Sequence, residues 1–169
     1  LLFLLILMPV LNFLHETGHW AAYKLHRVPV KMRLQNVQVI GDREVVGFAN
    51  FSSQWAGPLV NYAVIAAGWH FPPMRICALS MALHRIGPQV VGVALYSKGN
   101  TRFTSDETIL FVEKTRLVVA SIFLLLYGFL SARLCGLLGM TSWPAIAGVI
   151  ASGSIAWIAY GALLHGLDG

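Results

Sequence analysis

LLFLLILMPVLNFLHETGHWAAY, residues 1 to 23, is the stretch whose reading decides the fold. Apart from Asn12, the residues before His15 are apolar, and His15, Glu16 and His19 then arrive with no break in the helical pattern. Ionisable residues in the middle of a membrane span cost roughly 2.5 to 3.5 kcal/mol each. Three within five positions are therefore either past the membrane boundary, as ordinary interfacial groups, or there for chemistry. A secretory signal is a poor reading, because a basic leading segment and a small-residue cleavage site are both missing and the polar group follows at once.

The rest of the chain repeats the apolar theme. Of 169 residues, 57% are hydrophobic and 11% charged, and mean hydropathy is +0.69. Soluble domains carry about a quarter charged residues, so the composition is that of a membrane protein. The opening apolar run is read as Leu1 to Phe13, a clipped span, and further runs cover Trp55 to Trp69, Ile76 to Tyr96, Leu117 to Leu138 and Trp143 to Leu164. Each of the further runs approaches the roughly 20 residues that a span requires. The expected fold is an all-α polytopic membrane protein with about five transmembrane helices. No repeat or long linker divides it, so residues 1–169 are read as one membrane-embedded domain. Starting inside a helix without an initiator Met, the chain is expected to be a trimmed fragment.

The net charge of +5 is a sorting signal rather than a patch for nucleic acid. If spans alternate, Lys24, Arg27, Lys31, Arg33 and Arg43 share a side with Lys98, Arg102, Lys114 and Arg116, while Arg75 and Arg133 lie opposite. The basic side is cytoplasmic by the positive-inside rule, which puts HETGH near the cytoplasmic face. Cys77 and Cys135 fall inside spans, which argues against a disulfide framework.

After the first span the period changes from helical to two. Val28, Val30, Met32 and Leu34 alternate with polar residues, Val37 and Val39 continue after a slip, Gly41-Asp42 supplies a turn, and Val45 to Phe51 could return. The pattern predicts a short membrane-associated β-hairpin between the first two spans.

His15 and His19 lie four apart, on one face of a helix. Two imidazoles at that spacing offer two corners of a tetrahedral zinc site, and Glu16 beside them is placed as general base toward water. A catalytic zinc takes a third protein ligand. Candidates are Asp42, Glu44, Asp106, Glu107, Glu113, Asp168, His26, His70, His84 and His165. Six histidines with one close pair do not make the several histidine boxes of a di-iron membrane oxidase.

HETGH on an opening span, then a hairpin, then AGPLVN (Ala56 to Asn61) in the next span, resembles the site-2 protease family of intramembrane zinc metalloproteases. The resemblance covers roughly residues 1–110, leaving 111–169 as additional spans. It implies hydrolysis of peptide bonds in or near transmembrane segments of membrane-protein substrates, with zinc on His15 and His19 and Glu16 as base. It also implies a third ligand from an Asp in an LDG or SDG motif, and an Asn61 that faces the site and binds substrate or oxyanion. Here the sequence departs from the pattern. Leu167-Asp168-Gly169 is a literal LDG but lacks the Asn-x-x-Pro that precedes it in the family, while Ser105-Asp106-Glu107 has Glu for Gly and directly follows the third span. Spacing and order favour Asp106, and Asp168 stays open. The imperfect motif leaves room for a catalytically inactive scaffold or regulator of the same fold.

The hairpin could present an unwound substrate strand, since a helical substrate hides its carbonyls. Asp106-Glu107 could instead cap a helix running toward Val112. His84 and Arg85, in mid-span, require partners or water.

Overall fold

The opening apolar run is helical and stays so beyond HETGH. In the computed structural model, which describes residues 2–33, 36–41, 44–100 and 105–167 and side chains within them from Ile6 to Tyr160, α1 runs Leu2–Leu25. His19 therefore lies six residues, about 9 Å of helix rise, before the end of α1 rather than at its terminus.

Strands β1 (Val30–Met32) and β2 (Val37–Val39) follow, antiparallel, with Val30 opposite Val39 and Met32 opposite Val37. Buried Val30 and half-buried Val37 and Val39, with Val28, pack on Tyr23 at the end of α1. The hairpin is thus present but differently built. Val37–Val39 is its returning strand, and the expected return over Val45 to Phe51 is replaced by α2, which starts at Gly47 and runs to His70. The reason lies in the side chains: Phe48, Phe51 and Trp55 repeat at helical spacing, and the Phe51 and Trp55 rings meet at a tilt of 33° with centroids 6.4 Å apart. Gly41, at φ +84°, follows β2 instead of joining the strands, and Asp42 lies outside the described residues.

A 3-10 turn at Pro72–Met74 leads into α3 (Arg75–Tyr96), and α4 (Glu113–Leu137) and α5 (Trp143–Leu167) complete the chain. The segment after α3 forms turns at residues 106–110, so no helix starts at Glu107. Helix α3 touches each of the other four helices, and residues 78–89 are buried without interruption. It is the core. Helices α4 and α5 do the reverse: Val118, Ile122, Leu125 and Phe129 form an exposed apolar stripe on α4, Leu125 being 74% exposed. Among the described residues, three helices, Pro72–Tyr96, Glu113–Leu137 and Trp143–Tyr160, are long and apolar enough to cross a membrane.

Candidate metal centre

Helices α1 and α2 cross where neither can carry a large side chain. A Cβ on Gly18 would lie 2.8 Å from the Ala56 carbonyl carbon. One on Gly57 would lie 2.7 Å from His15 Nε2 and collide with His19 Nε2. The backbone of Gly57 therefore forms the floor beneath both imidazoles. One residue on, Pro58 has no N–H and leaves the Gln54 carbonyl without its helical donor, which loosens α2 beside the site.

The two rings are oriented from behind. His19 Nδ1 donates to the Ser53 carbonyl at 2.6 Å, and His15 Nδ1 donates to Asn61 Oδ1 at 3.1 Å. Both acceptors are oxygens that cannot donate, so each Nδ1 carries the proton and each Nε2 turns a lone pair inward. The two Nε2 atoms are 3.0 Å apart. Asp106 closes the triangle, with Oδ2 2.9 Å from His15 Nε2 and Oδ1 3.8 Å from His19 Nε2. Three acceptors then face one another, and only a shared proton or a cation between them removes the repulsion. One ligand atom from each of His15, His19 and Asp106 lies within 4.8 Å of the others, a cluster that could hold a metal ion. Histidines fixed by an acceptor on the far nitrogen are the usual arrangement of metal ligands, so the donor set fits such an ion.

Glu16 is buried beside this cluster and lines a cleft of about 210 Å³ with His19, Tyr23, Asn36, Val37, Gln54 and Asp106. The Val37 backbone N–H donates to its carboxylate, which ties β2 to the site. No family model, curated protein or solved structure matches the chain. The geometry therefore carries the functional reading by itself.

Asp106 comes from the turn between α3 and α4, and its side chain is 28% exposed. Burial works to raise its pKa, but neighbouring positive charge, the Arg85 guanidinium foremost, outweighs it and holds the carboxyl well below the usual carboxylate range. Of the residues singled out from the sequence, His15, Glu16, His19 and Asp106 come together, and Asn61 sits fully buried behind His15 rather than on the cleft. Asp168 lies outside the described residues. His84 is buried, and neither ring nitrogen has a hydrogen-bond partner among the described residues. Arg85 pairs with Asp106 and Glu107.

Sequence reading missed the Ser53 carbonyl, which has no side-chain signature, and the supporting roles of Gln89, Tyr127 and Glu107. Gln89 left a signal, four residues from Arg85 and so on the same face of an otherwise apolar helix.

Proposed function

We propose that the chain is an intramembrane zinc metalloendopeptidase of the site-2 protease type, acting on transmembrane protein substrates. The observation that carries this reading is the convergence of three acceptors, His15 Nε2, His19 Nε2 and the Asp106 carboxylate, beside a buried glutamate that opens on a cleft. Charge supports a cation there. Arg85 contributes +1, and Asp106 and Glu107 contribute −1 each, so with neutral imidazoles the set is net negative (1 − 2) before Glu16 is counted.

Zinc, when bound, supplies Lewis-acid polarisation of the scissile carbonyl and acidifies water. The protein's own residues do the rest. His15, His19 and Asp106 hold the ion. Glu16 takes a proton from the attacking water on its carboxylate and passes it to the leaving amine nitrogen. Asn61 and the Ser53 carbonyl keep both imidazoles in the tautomer that presents Nε2. Asn36 and Ile40, which flank β2, bond to Arg33 and Pro29 on the β1 side, so by antiparallel alternation the Val37 carbonyl and the backbone groups of Val39 point away from β1. That edge, at the rim of the cleft, suits an unwound substrate strand.

Three helices long and apolar enough to cross a membrane favour a multi-pass protein in the lipid bilayer, and the basic loops favour a site near the cytoplasmic face. Purified protein in detergent is expected to hold one zinc per chain by elemental analysis. Glu16→Gln is expected to keep the zinc and to cut a membrane-embedded helical peptide about 10²- to 10⁴-fold more slowly. Absence of stoichiometric zinc, or cleavage by Glu16→Gln at the wild-type rate, would falsify the reading, and the second result would point to the inactive scaffold.

A further inference from the structure

We infer that Arg85 is a positioning residue for Asp106, and that Glu107, Gln89 and Tyr127 act on the metal centre through it. The inference rests on the zinc reading of the His15, His19 and Asp106 cluster.

Asp106 has no helix to hold it. It follows Ser105 in a turn pinned by Thr108, whose Oγ1 accepts from the Ser105 backbone N–H at 2.9 Å and lies 3.1 Å from the Tyr96 hydroxyl. Those bonds fix the backbone and leave the carboxylate free to rotate. A ligand must be held to within roughly 0.5 Å to work, so something must act on the carboxylate itself. Arg85 does: Nη2 donates to Asp106 Oδ2 at 3.0 Å, leaving Oδ1 as the oxygen nearer His19.

The guanidinium is itself clamped. Its Nε donates to Glu107 Oε1 at 3.1 Å, and Nη2 donates to Oε2 at 2.6 Å. The remaining capacity of that carboxylate is taken by Gln89 Nε2 on Oε2 at 2.9 Å and by the Tyr127 hydroxyl on Oε1 at 3.0 Å. Tyr127 is stacked on Tyr62 with ring centroids 6.0 Å apart and 5° between planes. Glu107 is fully buried, so its place is fixed by α3 and α4 together. A pair needed only to neutralise itself would be complete without Asp106. Here the same Nη2 serves both carboxylates, which makes Arg85 the joint between a rigid cluster and the loop-borne ligand.

The test is zinc affinity, by competition with a chromophoric chelator, and the visible absorption of the cobalt-substituted full chain in detergent. Arg85→Met/Glu107→Gln removes both charges, so no buried ion is left unpaired. It is expected to keep the unfolding transition, bind zinc about 10- to 100-fold more weakly, and shift the cobalt bands. Arg85→Lys, with a charge but no fork, is expected to fall between that double variant and wild type.

Wild-type affinity and bands in the double variant would overturn the inference, because a purely structural pair has then been replaced without consequence. Should the double variant not fold, Tyr127→Phe decides: shifted cobalt bands support the relay and unchanged bands overturn it. Asp106→Asn separates the two levels. If it binds zinc as wild type does, the ligand assignment itself fails; if it alone loses zinc, the failure belongs to Arg85.

Discussion

Two polar clusters lie side by side in this apolar protein and differ in one respect. Around Glu107, Oε1 accepts from Arg85 and Tyr127 and Oε2 from Arg85 and Gln89, so the carboxylate requires nothing further. Beside Asp106, the imidazole donors point outward, to Ser53 and Asn61, and the Nε2 lone pairs point inward. Buried polar groups are normally satisfied by their neighbours. The Glu107 carboxylate obeys that rule and serves stability, although Gln89 Oε1 beside it has no hydrogen-bond partner among the described residues. The second breaks it where three acceptors converge, and that spot opens on a cleft.

The sharpest way to break the contrast is to damage the satisfied cluster. Glu107→Leu leaves Arg85 buried with one partner fewer, and unfolding in detergent is expected to become easier by about 3 to 5 kcal/mol, the range for a broken buried pair. Adding Arg85→Met should return much of that loss. Damage to the unsatisfied cluster should act only through metal. With free zinc about a hundredfold above Kd, bound metal stabilises by about 2.7 kcal/mol. Chelator should therefore lower the melting temperature of wild type and leave that of His15→Ala/His19→Ala unmoved.

A smaller effect is expected at the floor. Gly57→Ala places a methyl against both imidazoles, so zinc affinity should drop about tenfold, or about 1.4 kcal/mol. The zinc-free protein cannot be more stable than helix propensity allows, a gain of at most about 1 kcal/mol. The smallest effect is on acid stability. A carboxyl whose pKa is lowered on folding contributes stability above its ordinary value of 3.8 and loses it as pH falls toward its folded value. In chelated protein, the stability difference between wild type and Asp106→Asn should hold down to about pH 5 and shrink below it. A difference that grows in acid would contradict the Arg85 contact.

Much of this was legible in one dimension because the relevant interactions are local. Helical periodicity and hydropathy anticipated five helices, with the ends of α3, α4 and α5 close to those observed, whereas α1 runs on past Phe13 to Leu25 and α2 starts at Gly47, ahead of the apolar run at Trp55. The spacing of His15 and His19 put two rings on one face, and the change of period at Val28 announced a hairpin. The register of that hairpin was not legible. Val37–Val39 and Val45 to Phe51 both read as returning strands, and the choice was made by the aromatic face of α2 and by valines packing on Tyr23. Arg85 was visible as a misfit in an apolar helix, but its partners lie 21 and 22 residues away.

The amino-acid order by itself determined the apolar class, the helix count and the pair of imidazoles beside a glutamate, since each follows from residue type and a period of a few residues. Only the tertiary structure decided that Asp106 faces that pair, that Asn61 stands behind His15, and that Glu107 belongs to a different cluster from its neighbour. Adjacent residues in a turn point in different directions, and which one meets the histidines depends on how α3 packs against α1, which local periodicity does not specify.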